Sequence, residues 1–270
     1  MFSVVITAYN RQDCISYSFF SALSFIACIG GGEIVLVDDA STDSTYGIMT
    51  SLADICSSEA LTIKTVRNRM NRGVCFSKNI GASMASADWI IFLDSDDYLI
   101  PSSAEEVVAR ITSHPNCRLH FFLSVGLDGK ALTSYHRNLR TAHSLDLNTI
   151  CTTGTGGESL PVISSYCFRK LEYDPILSGF EVSLYSKIVS MYGPAILHPL
   201  PARIYSIIDY GERISSASAL LRSRRVIPGY LSLLENHATR LDLYSRLYIL
   251  TLLFFHKTRI FVMTLMRIRG

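Results

Sequence analysis

Three carboxylates within four positions, Asp94, Asp96 and Asp97, follow directly on the apolar run Trp89-Ile90-Ile91-Phe92-Leu93. A short, uninterrupted run of aromatic and branched residues suits a strand buried on both faces of a parallel sheet. Carboxylates crowded at the end of such a strand repel one another unless water or a cation offsets their charge. The chemistry this spacing suggests is a divalent-metal site at the carboxyl end of a central strand. A solvated turn after the strand is the plain alternative.

Two further polar clusters follow apolar runs in the same way. Thr7-Ala8-Tyr9-Asn10 comes after the run from Phe2 to Ile6, and Asp38-Asp39-Ala40-Ser41-Thr42-Asp43 comes after Ile34 to Val37. Helical patterns lie between the strands. Ile15, Phe19, Leu23 and Ile26 recur at helical spacing between Cys14 and Ile29, and Gly30-Gly31-Gly32 ends the pattern. Ser44 is the expected N-cap of a helix reaching about Cys56. A third strand, Leu61 to Val66, leads into the basic loop Arg67-Asn68-Arg69-Met70-Asn71-Arg72-Gly73 and a small-residue helix from Val74 to about Ser86. Another helix is expected from Pro101 to about His114. Strand–helix units of this length imply right-handed crossovers and a mostly parallel sheet flanked by helices. Ligands bind such sheets beyond the carboxyl ends of the strands, so the three polar clusters should share one rim.

Beyond residue 115 the pattern weakens. Leu119 to Val125 reads as a strand, Leu127-Asp128-Gly129-Lys130 as a turn, and Thr152 to Glu158 as a glycine-rich loop. Gly179 to Met191 reads as a helix opening with Phe180-Glu181, Ala195 to Ile208 as two short strands, and Ser216 onward as helical. The expected division is 1–115, 116–215 and a helical extension 216–270.

Of the 270 residues, 49% are apolar and 18% charged, enough for a substantial core but far from a polytopic membrane protein. Charge is uneven: residues 1–200 carry 14 Lys/Arg against 19 Asp/Glu, and residues 201–270 carry 11 against 4. The seven scattered cysteines form no Cys-x-x-Cys pair, which argues for a reducing, cytoplasmic setting. No signal peptide or membrane-spanning run is expected. Apolar runs between Leu247 and Met263 combine with Arg240, Arg246, Lys257, Arg259, Arg267 and Arg269, which suits one or two basic amphipathic helices on an anionic membrane surface. Burial against the rest of the chain or in a homodimer is the rival reading. Nucleic acid is not expected, because the aromatics lie in apolar runs rather than among the cations.

The pieces Val4-Val5-Ile6-Thr7-Ala8-Tyr9-Asn10, Ile34 to Asp43, Asn71-Arg72-Gly73 with Lys78-Asn79-Ile80-Gly81, and Phe92-Leu93-Asp94-Ser95-Asp96-Asp97 occur in that order over about residues 3–115. Together they resemble the inverting family 2 glycosyltransferases, which have the Rossmann-like GT-A fold and use nucleotide sugars. The resemblance implies that Asp96 reaches a Mn²⁺ or Mg²⁺ ion, with Asp97 assisting. Asp94, beside Ser95, would reach the ribose or a metal-bound water. A divalent ion suits the reaction because it neutralises charge on the departing diphosphate.

By the same resemblance Thr7, Tyr9 and Asn10 line the nucleotide pocket. Asp39 accepts a hydrogen bond from the base, which favours uracil and hence a UDP-sugar donor. Arg72, with Arg67 and Arg69, faces phosphate or else forms a solvated basic loop, and Lys78 stands where many relatives have Arg. Inversion needs a base for the acceptor proton. Glu181 falls on that position, with Phe180 replacing the usual preceding acid and Glu158 and Glu172 as fallback candidates. Tyr210 stands near a position where many relatives have His, and His198 is the candidate substitute. The expected activity moves a hexose or N-acetylhexosamine onto a lipid-linked acceptor, polyprenyl-diphosphate types included, or a surface glycan of the O-antigen, capsule or lipooligosaccharide kind. The enzyme would then sit peripherally at the inner face of the cytoplasmic membrane. The alternative is a catalytically inactive nucleotide-sugar-binding or scaffold protein of a glycan assembly complex.

Overall fold

The strand β1 (Phe2–Ala8) is buried at every residue, and so is its neighbour β2 (Gly32–Asp38). The computed structural model to which they belong describes residues 1–177, 179–206 and 219–268. Helix α1 (Ile15–Cys28) joins these strands, and α2 (Thr45–Cys56) leads to β3 (Leu61–Arg67). Helix α3 (Val74–Met84) leads to β4 (Trp89–Asp94), which is followed by the two-residue strand β5 (Tyr98–Leu99) and α4 (Ala104–Thr112). The remaining elements are β6 (Leu119–Val125), α5 (Ser134–Asn138), β7 (His143–Leu145), α6 (Leu147–Thr152), β8 (Ser159–Ser164), α7 (Ser165–Phe168), α8 (Val182–Tyr192), β9 (Ala195–Ile204), α9 (Ala219–His237) and α10 (Leu243–Ile268).

Among the described residues one sheet runs in the order β3-β2-β1-β4-β8-β6-β9-β5, with β7 on β9. The first four strands are parallel, as the sequence predicts, and β1 is central: Thr7 is opposite both Val37 and Asp94. The three polar clusters therefore meet at one rim. Past β4 the sheet is mixed, because β8 runs antiparallel to both β4 and β6. Alternate side chains of the central strands enter two cores. Val4, Ile6, Ile34 and Leu36 pack with Phe19, Phe25 and Ile26 of α1. Val5, Val35, Val37 and Phe92 pack with α3, α8 and the β6 face. Full burial of each such side chain contributes roughly 1.5–3 kcal/mol. Helix α3 lies so close to the sheet that a Cβ on Gly81 would come within 2.3 Å of Val5, which fixes how far Lys78, one turn earlier, stands above the strands.

Some expectations need correction. The Ser44 side chain makes no cap bond to α2; Asp43 Oδ1 does that work, accepting from the Thr45 N–H at 2.9 Å. The segment expected as two short strands is one strand, β9, with an irregular register against β6 between Phe122 and Ser124. Pro199 and Pro201 lie there and cannot donate ladder bonds. The turn after β6 closes through Gly126 N–H to the Lys130 carbonyl at 2.9 Å, but only an isolated bridge comes after it. The helical extension divides into α9, which accommodates Pro228, and α10.

Candidate active site

At the rim, just past β1 and β2, stand the two non-glycine residues of positive φ among those described, Asn10 (52°) and Ala40 (62°). Such conformations persist where surrounding bonds over-determine them. Here the Asn10 N–H donates to Ser41 Oγ at 2.9 Å, and Asn10 Oδ1 accepts from the Thr42 N–H at 2.8 Å. Asp38, fully buried, pairs with Arg67 Nε at 3.1 Å and is structural. Asp39 accepts from Asn68 Nδ2 at 2.8 Å, the Arg72 N–H at 3.0 Å and the Gly73 N–H at 2.7 Å. It thereby gathers the loop before α3. A carboxylate has about four lone-pair sites, so it retains capacity for another donor. Thr7 is buried, Tyr9 is 41% exposed, and the Arg72 guanidinium lies over the Phe76 ring at 3.8 Å.

The acidic loop is held on two sides. The Asp97 N–H donates to the Asp94 carbonyl at 3.0 Å, and α1 reaches up through Ser18 Oγ, which donates to the Asp97 carbonyl at 2.7 Å. Ser21 Oγ accepts from the Leu99 N–H at 3.0 Å. Immediately after the loop, β5 pairs with β9, setting Leu99 opposite Arg203. This explains a departure from the expected metal set. Asp97, 1% exposed, pairs with Arg203 Nη1 at 3.2 Å and accepts from the Ser206 N–H at 3.0 Å. Its carboxylate is turned into the protein rather than presented beside Asp96. Burial holds its pKa above the ordinary carboxylate range, with the Arg203 guanidinium pulling the other way. Arg203 also donates to Ser124 Oγ at 2.8 Å and approaches Glu158 at 3.4 Å. Ser95 is likewise buried, whereas Asp94 and Asp96 are half-exposed.

Lys78 connects this loop to the other side of the site. Its side chain is almost buried, with Nζ 3.2 Å from Asp94 Oδ1. Burial alone would push the ammonium pKa down; Asp94, then Glu181 and Tyr185, reverse this and hold it above the usual lysine range. Glu181 opens α8, half-buried. Burial and then the Glu181 charge push the Tyr185 phenol up, while Lys78 opposes them. Tyr173 lies beneath, its hydroxyl 3.5 Å from that of Tyr185 and its ring 5.9 Å from Lys78 Nζ. Asn79 clamps the Tyr173 backbone, donating to its carbonyl at 2.8 Å and accepting its N–H at 3.0 Å. Arg203, Tyr173 and Tyr185 are the participants that sequence reasoning missed. Only Arg203, a charge inside an apolar strand, carried a signal.

Among the described residues no three His, Cys, Asp or Glu side chains are grouped to hold a metal. The donors at Asp94 and Asp96 still fit Mg²⁺ or Mn²⁺, which commonly take one or two carboxylates and complete their shell with substrate phosphates and water. His198 does not extend the set. It is fully buried in the sheet, stacked on Phe122 at 4.8 Å and 3.0 Å from His120, and burial lowers its pKa to about 4. Of the fallback bases, Glu158 pairs with Arg203, and Glu172 is exposed. Ser178 and Tyr210 to Ser215 lie outside the described residues.

Comparison with known proteins agrees with this construction. The model of glycosyl transferase family 2 matches residues 3–157, and the chain belongs to that family. Over 101 residues it is 36% identical to the Escherichia coli UDP-Glc:alpha-D-GlcNAc-diphosphoundecaprenol beta-1,3-glucosyltransferase WfaP, a match covering 36% of each chain. Over 116 residues it is 28% identical to an uncharacterized glycosyltransferase of Haemophilus influenzae, covering 43% of this chain and 36% of that one. The matches thus span little more than a third of the length of these relatives. Staphylococcus aureus TarS 1–349, solved with UDP-GlcNAc, aligns with a TM-score of 0.69 at 19% identity, over 93% of this chain and 70% of that one. The Pyrobaculum calidifontis mannosyltransferase PcManGT, solved with GDP-Man and Mn²⁺, aligns at 0.66 and 14% identity, over 94% and 69%. The fold is GT-A.

Proposed function

We propose that the chain transfers a hexose or N-acetylhexosamine, with inversion, from a UDP-sugar to a lipid-linked or surface-glycan acceptor. The observation that carries this reading is Lys78, almost buried between the charges of Asp94 and Glu181, because it joins a donor loop and a candidate base in one field. Residues 1–115 would bind the nucleotide sugar, 116–215 the acceptor, and 216–270 form the basic helical extension. Thr7, Tyr9 and Asn10 border the nucleotide, Asp39 accepts the uracil ring N–H, and Arg72 faces phosphate. Asp96, with Asp94, would hold Mn²⁺ or Mg²⁺, which when bound offsets negative charge on the departing diphosphate. Glu181 takes the acceptor hydroxyl proton as that oxygen attacks the anomeric carbon from the face opposite UDP. The bond to the diphosphate breaks through an oxocarbenium-like state. Lys78 supplies a fixed positive charge beside the leaving group.

The donor and lipid-diphosphate acceptor named for WfaP and the UDP-GlcNAc bound by TarS support the substrate classes. A lipid-linked acceptor would keep the enzyme at the inner surface of the cytoplasmic membrane. Thermal unfolding of the full chain with UDP- and GDP-sugars, with and without Mn²⁺, tests the donor. Ligand at a hundred times its Kd adds about 2.7 kcal/mol to stability, so UDP-sugars should raise the midpoint by several degrees only when Mn²⁺ is present. A larger rise with GDP-sugars would overturn the uracil reading.

A further inference from the structure

Helix α10 has two faces of different character. On the inner face Ser245, Ile249 and Leu253 are buried, and the His256 ring stacks on Tyr230 of α9 at 5.9 Å. On the outer face Leu243, Leu247, Leu250, Phe254 and Phe261 recur at helical spacing and are all exposed, Phe254 to 72%. Phe255 and Val262 broaden this stripe, and with Met263 they border a shallow apolar depression. At 100° per residue Arg246 and Lys257 fall along one margin of the stripe and Arg259 along the other. From Leu243 to Ile268 the helix has no Asp or Glu. No helix among the described residues is long and apolar enough to cross a membrane.

We infer that α10 lies in the plane of an anionic lipid surface, with the Leu243–Phe261 stripe among the acyl chains and Arg246, Lys257 and Arg259 at the headgroups. Charge selects this occupant. A second copy docked on the stripe would bring these cations against their own counterparts, whereas anionic headgroups complement both margins. The inner face gives the contact a purpose. Tyr230 packs on Phe180 with ring centroids 5.1 Å apart, and a Cβ on the adjacent Gly229 would come within 2.3 Å of the Phe180 ring. Phe180 directly precedes Glu181. The residue replacing the acid usual at this position thus docks the start of α8 onto the helices that would meet the lipid.

This deepens the lipid-linked acceptor reading, but its test uses no sugar. The full chain is floated with phosphatidylcholine vesicles, with or without phosphatidylglycerol. It should bind the anionic vesicles, and Arg246→Gln/Lys257→Gln should weaken binding roughly fivefold per cation removed. Phe254→Asp/Phe261→Asp, at exposed positions, should abolish binding while leaving the unfolding midpoint and its Mn²⁺-dependent shift by UDP-sugar unchanged. A wild-type chain that ignores anionic vesicles would overturn the inference. So would a dimer in sedimentation equilibrium that Phe254→Asp/Phe261→Asp dissolves.

Discussion

Two kinds of construction meet at Lys78. On the side proposed to bind the donor each chemical group lies at the end of its strand. Asp39 comes directly after β2, Asp94 ends β4, and the parallel strands bring these ends to one rim. On the side proposed to bind the acceptor the groups come from elements far apart in sequence. Glu181 starts a helix, Tyr173 sits in a loop pinned by Asn79, and Arg203 reaches Asp97 from β9. The first arrangement is set by strand register, with the later chain holding only the far end of the acidic loop through β5 and Asp97. The second depends on the antiparallel insertion of β8 and on the packing of α8 against α9.

The largest effect is expected at the donor end. Asp96→Ala should lower sugar transfer at least about a thousandfold, the upper range for losing a charge-stabilising group, and abolish Mn²⁺-dependent UDP binding with little change in the unfolding midpoint. Full turnover, read by UDP release, would separate the acidic loop from the chemistry. Next comes the tie between the two regions. Arg203→Met leaves Asp97 buried without its cation and should cost about 3–5 kcal/mol, lowering the midpoint by about 10 °C for a chain of this size. An unchanged midpoint would mean that Asp97 is free to turn back toward Asp96. The smallest of the three lies wholly on the acceptor side. Glu181→Gln should lower kcat about a hundredfold and leave UDP-sugar affinity within about twofold. A loss of affinity in its place would erase the division of labour.

The same contrast explains what the sequence reveals. Asp94, Asp96 and Asp39 are legible because a buried strand ends and a carboxylate begins within a residue or two, and period and polarity then locate them. Asp97 reads like its neighbours by type and spacing, but its partner lies on a strand more than a hundred residues later, so no local pattern distinguishes a ligand from a buried ion pair. Tyr173 and Tyr185 are concealed for a similar reason. Tyr185 sits in an apolar-rich helix where a phenol looks like core, Tyr173 in a charged loop where it looks like surface, and only the tertiary approach of Glu181 gives either electrostatic weight. Phe180 reads as a departure from the family, and its physical meaning emerges only when α9 is seen against it.

The loop from Asp94 to Asp97 is spliced between strands four places apart in the sheet order, with β4 feeding it and β5 drawing it to β9. Ser18 and Ser21 fasten it from below. A loop tethered in this way is ordered when the chain folds rather than when substrate arrives, so the entropy of shaping it is not charged to binding. Weak donor affinity would then be no sign of a loose site: in the proposed reading the carboxylates already stand where a donor diphosphate would come to rest.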